Sequence, residues 1–178
     1  ASTKSRLLET VLPGSSQSFS VSLTNNSEYE LDSLVLKDFI DYGGNLVDGV
    51  LDSASLFSNY DFSARYFNGS DWLPEPPQND EEIKGFELTF GTVSPGQSVE
   101  VSFDIFFPKN VPAGRRYNTA SVSYSRLGTT WSSKTNPVDF TILALGVPLL
   151  GPFGYPDAPG MTLEDTTLST VTVFDGDT

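Results

Sequence analysis

Residues 18–24 read SFSVSLT, and apolar and polar side chains alternate along the whole stretch. In an extended chain, Phe19, Val21 and Leu23 therefore point to one face and the intervening residues point to the other. This alternation is typical of an antiparallel strand that has one face in a core and one face in water. The stretch predicts a half-buried β-strand.

The same alternation recurs along the chain. It is found in residues 86–90 (FELTF), 99–105 (VEVSFDI), 120–124 (ASVSY) and 138–142 (VDFTI). Turn-forming pairs such as Pro13-Gly14 and Pro95-Gly96 separate the runs. Short strands with turns between them predict an all-β fold, an immunoglobulin-like antiparallel β-sandwich over residues 1–145.

Weaker patterns complete this prediction. Residues 6–12 are expected to form a first edge strand, residues 31–40 a deeply buried strand, and residues 61–67 a further strand. A short helical turn is predicted within residues 50–58. No other part of the sandwich region favours a helix.

The composition excludes several classes of catalytic site. The chain has no cysteine and no histidine, so a disulfide scaffold, a zinc-thiolate site and a Ser-His-Asp triad are all excluded. Asp80, Glu81 and Glu82 are consecutive acidic residues in a predicted loop, an arrangement that does not favour the opposed carboxylates of a glycosidase. We therefore expect a protein that is not an enzyme and that has no catalytic or cofactor-binding residues.

The net charge of −13 and the sequence pI near 4.1 disfavour nucleic acid and anionic membranes as partners. No apolar run reaches the roughly 18 residues of a membrane-spanning helix, so membrane insertion is not expected. Ala1 is followed by a polar stretch, which is interpreted as the start of a mature chain after removal of an export signal.

The C-terminal region differs in kind from the sandwich. Residues 146–160 are dense in proline and glycine and predict an extended connector. Residues 161–178 predict a strand-forming tail, and a single strand must pair with a sheet to be stable. The tail either adds to the sheet of a neighbouring subunit or covers the edge of its own sandwich. The expected pairing residues are Leu168, Thr170, Val171, Thr172, Val173 and Phe174.

Residues 11–125 also resemble a known family. The relevant motifs, in order, are the Pro13-Gly14 turn and its strand, LVLKD at 34–38, FSARYFNGSDW at 62–72, GTVSPGQSVEVSF at 91–103 and NTASV at 118–122. Together they resemble the repeat module called domain of unknown function eleven, which is found in bacterial and archaeal surface proteins. The resemblance covers about two thirds of the chain. It implies an immunoglobulin-like sandwich in an extracellular or cell-surface setting, and no enzymatic activity.

Several polar and aromatic residues are candidates for other roles. The acidic residues of the tail could bind calcium, although their spacing lacks a calcium-loop pattern and favours a solvated surface; these are Asp157, Glu164, Asp165, Asp175 and Asp177. No metal ligands are assigned. Asn25 and Asn68 begin glycosylation sequons at predicted turns. Four aromatic residues could stack on a carbohydrate, although core packing is favoured for them; these are Tyr60, Tyr66, Phe67 and Trp72.

One covalent site is also a candidate. Lys37 and Asn118 could form an intramolecular isopeptide bond, provided that the lysine is buried and a carboxylate lies nearby. The sequence alone does not show whether Lys37 is buried.

These observations lead to one main functional prediction and two alternatives. The main prediction is a structural subunit of an extracellular, pilus-like filament or surface assembly that self-associates into a homopolymer by β-strand addition. The alternatives are a monomeric cell-surface adhesin or carbohydrate-binding module, and a virion surface protein.

Overall fold

The computed structural model describes residues 1–144 and, as backbone, residues 169–174. The chain is an all-β, immunoglobulin-like antiparallel sandwich. The strands are β1 (Ser2–Arg6), β2 (Thr10–Val11), β3 (Ser16–Thr24), β4 (Ser33–Phe39), β5 (Val50–Leu51), β6 (Phe57–Ser58), β7 (Phe62–Phe67), β8 (Trp72–Leu73), β9 (Gly85–Phe90), β10 (Ser98–Phe106), β11 (Gly114–Asn118), β12 (Ala120–Arg126), β13 (Thr129–Lys134), β14 (Val138–Ile142) and β15 (Ser169–Phe174).

The first sheet has the strand order β15-β1-β3-β10-β5, and β6 also pairs with β10. All of these pairs are antiparallel. The register of β3 on β10 places Phe19 opposite Phe103 and Val21 opposite Val101. Because side chains alternate along a strand, this register keeps the apolar residues of both strands on the same face.

The second sheet has the order β13-β12-β4-β9-β7-β8. Leu36 of β4 lies between Val122 of β12 and Leu88 of β9. A small third sheet, β11-β14-β2, contains a parallel pair between β14 and β2. Among the described residues, no helix is long and apolar enough to cross a membrane.

The core lies between the inner faces of the two large sheets. The ring of Phe19 stacks on that of Phe103 at 5.3 Å between centroids, and Phe86 of the second sheet meets Phe103 edge-on at 5.0 Å. Rings at these separations add attraction to the area that they bury. The strands with alternating sequences thus supply the core that their patterns predict.

The structure confirms one weaker sequence prediction and corrects another. The helical turn expected within residues 50–58 is the 3₁₀ turn Ser53–Ser55, in which the Asp52 side chain accepts from the Ala54 backbone N–H, and a short strand lies on either side of it. The edge strand predicted over residues 6–12 is reduced to β2, and the true first strand, β1, lies earlier.

Three strands of five or six residues were absent from the sequence prediction. β1 has the polar sequence STKSR, and β13 has TTWSSK, of which every residue but one is exposed. β11, Gly114–Asn118, contains two arginines. None of the three has the apolar alternation that marks a half-buried strand, so their pairing partners, and not their own side chains, define them.

Candidate functional site

Lys4 occupies the middle of β1 and is fully buried. Its Nζ lies 5.2 Å from the ring centroid of Phe19 and 5.4 Å from that of Phe103. The Asn136 side chain fixes the backbone of Lys4: its Oδ1 accepts from the Lys4 N–H at 2.8 Å, and its Nδ2 donates to the Lys4 carbonyl at 2.7 Å. A lysine is rarely buried to this extent unless it is paired.

Two buried polar side chains meet the amine of Lys4. Lys4 Nζ donates to Asp38 Oδ2 and to Asn118 Oδ1. Asn118 Nδ2 in turn donates to Asp38 Oδ1 at 2.9 Å and to the Phe39 carbonyl at 2.9 Å. Asp38 and Asn118 are 1% and 3% exposed, so the three side chains form a closed hydrogen-bonded triangle that we call the Lys4 triad.

The members of the Lys4 triad come from three different sheets. Lys4 lies in β1 of the first sheet, Asp38 in β4 of the second, and Asn118 ends β11 of the small third sheet. Tertiary packing therefore brings together residues that are 34 and 114 positions apart.

Burial sets the electrostatics of the Lys4 triad. Removal from water lowers the pKa of Lys4 below its ordinary value, while the charge of Asp38 and its hydrogen bond oppose that shift. A buried ion pair of this kind gains little net stability, because both charges lose their hydration. The arrangement holds an amine with a lowered pKa against an amide and a carboxylate.

The structure contradicts the pairing of Lys37 with Asn118 that the sequence-based isopeptide hypothesis requires. The Lys37 side chain is 37% exposed, pairs with Glu87 at 3.4 Å and lies over the ring of Trp72. Asn118 faces Lys4 instead.

A signal for two triad members was present in the sequence. Asp38 continues the inward phase of Leu34 and Leu36, and Asn118 precedes Ala120 in the inward phase of the next strand. Alternation therefore places a carboxylate and an amide toward the core. Lys4 had no such signal, because no apolar pattern surrounds it.

The two sequon asparagines have different environments. Asn25 is buried, and its Nδ2 donates to the carbonyls of Tyr29 and Val93. The Asn25 amide is thus occupied within the fold. Asn68 is exposed, and its Oδ1 accepts from the backbone N–H groups of Ser70 and Asp71. The structure favours Asn68 over Asn25 as a modification site.

The aromatic candidates mostly pack against the sandwich. Tyr66 and Phe67 are buried, and Trp72 lies 5.1 Å from the Phe67 ring. Tyr60 is half-buried against the core. Tyr60 and Tyr66 thus follow the core-packing alternative, whereas Phe67 and Trp72 pack on each other and on Phe39.

The acidic residues at 80–82 form a 3₁₀ turn, in which the Asp80 carboxylate accepts from the backbone N–H and hydroxyl of Ser53. Among the described residues, no three acidic side chains come together as ligands for a metal ion. The calcium candidates at 157, 164, 165, 175 and 177, the connector 146–160 and Leu168 lie outside the described residues. For Thr170, Val171, Thr172 and Phe174, the structure describes the backbone pairing with β1, and Val173 lies at a shift of the register opposite Ser2 and Thr3.

Comparison with known proteins gives structural neighbours only. No family model matches the chain, and no curated protein matches it. A putative membrane-anchored protein from Corynebacterium diphtheriae superimposes with a TM-score of 0.54 at 15% identity, over 81% of this chain and 36% of that one. The chain thus spans about a third of that protein, and the likeness establishes a shared fold.

Two further neighbours are less similar. Domains D2 and D3 of the major pilin SpaD from Corynebacterium diphtheriae align with a TM-score of 0.45 at 14% identity, over 78% of this chain and 51% of that one. The collagen-binding subdomain of the Enterococcus faecalis surface protein ACE aligns with a TM-score of 0.40 at 10% identity, over 72% of this chain and 87% of that one.

Proposed function

We propose that this chain is a structural domain of an extracellular surface assembly, that it is not an enzyme, and that neighbouring subunits are joined by β-strand addition. The observation that carries the proposal is the antiparallel pairing of β15 with β1, from Ser2 opposite Phe174 to Arg6 opposite Ser169. A C-terminal strand thus adds to the strand at the other end of the chain.

Without β15, β1 would be the open edge of the first sheet. An open edge presents unpaired backbone N–H and C=O groups that can accept a strand from another chain. The register of β15 on β1 defines which residues such a strand would pair with.

The chain between the sandwich and β15 is long enough for exchange between subunits. Residues 143–168 separate β14 from β15, and these 26 residues span at most roughly 90 Å when extended. A strand exchanged between identical subunits forms the same backbone hydrogen bonds as one that folds back, so the exchange costs little. When each subunit donates its strand to the next, the contact is head-to-tail, and it extends as an open filament when the rotation between subunits does not close a ring.

The surface setting is supported by two similarities. Residues 11–125 resemble the surface-protein repeat module described above, and this family assignment stays a prediction. The Corynebacterium protein of similar fold is named as membrane-anchored. Both suggest an exported chain that extends from a cell or particle surface.

Engineered disulfides distinguish strand exchange from folding back. The chain has no cysteine, and Thr3 lies opposite Thr172 in the register. We expect the T3C/T172C variant, oxidised at increasing protein concentration, to give a ladder of disulfide-linked multimers on a non-reducing gel. A matched control, T3C/S169C, places the second cysteine three residues out of register and should give no ladder.

Two results would contradict the proposal. A disulfide confined to monomers at every concentration would show that β15 covers its own sandwich, and the monomeric adhesin or carbohydrate-binding alternative would then be preferred. An absence of any disulfide would show that β15 does not pair with β1.

A further inference from the structure

We propose that Lys4 and Asn118 are joined by a covalent amide bond between Lys4 Nζ and Asn118 Cγ, formed within the chain and promoted by Asp38. This inference goes beyond assembly of subunits and rests on the geometry of the Lys4 triad alone. It adds a chemical crosslink to a chain that has no cysteine for a disulfide.

The nucleophile and the carbonyl are in contact. Lys4 Nζ donates to the carboxamide oxygen of Asn118, so the amine lies next to the carbon that it would attack. Holding two reactants in this way removes most of the entropic cost of a bimolecular reaction. The backbone of Lys4 is fixed by Asn136 and the amide of Asn118 by Phe39, so both partners are held in place.

Asp38 touches both nitrogens of the reaction. Its Oδ2 accepts from Lys4 Nζ, the attacking nitrogen, and its Oδ1 accepts from Asn118 Nδ2, the leaving nitrogen. A carboxylate in this position can take a proton from one nitrogen and deliver a proton to the other. Asp38 is therefore assigned as the catalytic residue.

The environment favours the neutral amine that the reaction needs. The rings of Phe19 and Phe103 flank Lys4 Nζ, and the whole triad is buried. An apolar surrounding disfavours charged forms, so transfer of the Lys4 proton to Asp38 is easier here than in water. Burial also keeps out the water that would compete as a nucleophile.

The step balances without any added reagent. Asp38 takes one proton from the Lys4 ammonium group, and the neutral amine attacks Asn118 Cγ to form a C–N bond. Asp38 passes that proton to Nδ2, the Cγ–Nδ2 bond breaks and ammonia leaves with the bonding pair. The new amide nitrogen returns one proton to Asp38, which ends as a neutral carboxyl group. The buried ion pair is thereby replaced by neutral groups, which removes the cost of keeping two charges in the core.

Intact mass spectrometry of the full chain tests the bond. We expect a mass about 17 Da below that of the sequence, because one ammonia is lost when the lysine amine is acylated. Succinimide formation at Asn68-Gly69 would give the same loss, so a tryptic digest is needed to assign it. The bond predicts a branched peptide in which residues 1–6, uncleaved at Lys4, are attached to residues 117–126.

Variants separate the roles of the three residues. Asn118→Ala and Asp38→Asn should each have the mass calculated from its own sequence, and neither should give the branched peptide. The matched control Lys37→Arg changes the half-buried lysine next to Asp38 in sequence and should retain the mass loss and the branched peptide. Circular dichroism establishes that each variant is folded.

The wild-type result alone can overturn the proposal, whether or not the variants fold. A full-length mass equal to that of the sequence, with normal tryptic cleavage after Lys4, would show that the Lys4 triad is a buried ion pair and nothing more. A bond that persists in folded Asp38→Asn protein would remove the role assigned to Asp38.

Discussion

A crosslink between Lys4 and Asn118 predicts a specific mechanical behaviour. Lys4 lies in the first strand, and Asn118 is 114 residues further along the chain. If the two are covalently joined, force applied to the termini passes through the bond and bypasses the chain between them. That chain cannot extend even after the sandwich unfolds.

The magnitude follows from chain geometry. An extended chain spans at most about 3.3–3.6 Å per residue, so the separation of 114 positions between Lys4 and Asn118 corresponds to roughly 380–410 Å of length. We expect Asn118→Ala and Asp38→Asn to release this additional length on unfolding, compared with the wild type.

Single-molecule force spectroscopy with handles at the two termini measures this length directly. Comparison of total unfolded contour lengths does not depend on the stability of each variant, because both end states are fully stretched. Lys37→Arg should match the wild type. Equal contour lengths for the wild type and Asn118→Ala would refute the reasoning, since an uncrosslinked wild type would extend fully as well.

Further predictions concern stability. The crosslink closes a loop of more than 100 residues, so Asn118→Ala should lose about 4–5 kcal/mol by analogy with a disulfide loop, measured by urea denaturation and contradicted by an unchanged midpoint. Burial lowers the pKa of Lys4, so in uncrosslinked Asn118→Ala protein the unfolded chain binds more protons than the folded chain between that lowered pKa and 10.5. The free energy of unfolding of this variant, relative to the wild type, should therefore rise with pH across that window, by at most about 1.4 kcal/mol per pH unit. A difference that does not change with pH would contradict this. Phe86→Ala removes a fully buried ring and should cost about 3–5 kcal/mol in the same urea assay, where a loss below 1 kcal/mol would contradict the packing described. Gly49→Ala would place a Cβ against the side chains of Ile105 and Phe107 and should cost about 1–3 kcal/mol. Gly91→Ala is its control, because a Cβ there meets nothing within 4 Å. Equal thermal midpoints for the two variants would contradict the close approach at Gly49.

The strands with alternating sequences were predictable because their own residues carry the pattern. The strand predicted at residues 138–142 is β14 with the same limits, and residues 18–24 and 99–105 lie within β3 and β10. Burial of one face is enough to specify such strands, since a slip of one residue would expose every apolar side chain.

β1 was not predictable in this way. STKSR has no apolar face, and the strand exists because β3 and β15 supply its hydrogen bonds and Asn136 holds its backbone. Strand pairing between distant segments is a property of the sheet, so a five-residue window contains little information about it.

The sequence by itself determined the all-β class, the inward faces of the regular strands and the absence of cysteine and histidine chemistry. The sequence predictions did not identify Asp38 and Asn118 as inward-facing residues, although the alternation of their segments carries that signal. Only the tertiary structure decided which lysine meets them, because contact across 114 residues depends on how three sheets pack. Whether a lysine is solvated or reactive depends on how much water its surroundings remove, and for Lys4 those surroundings come from strands far away in the sequence.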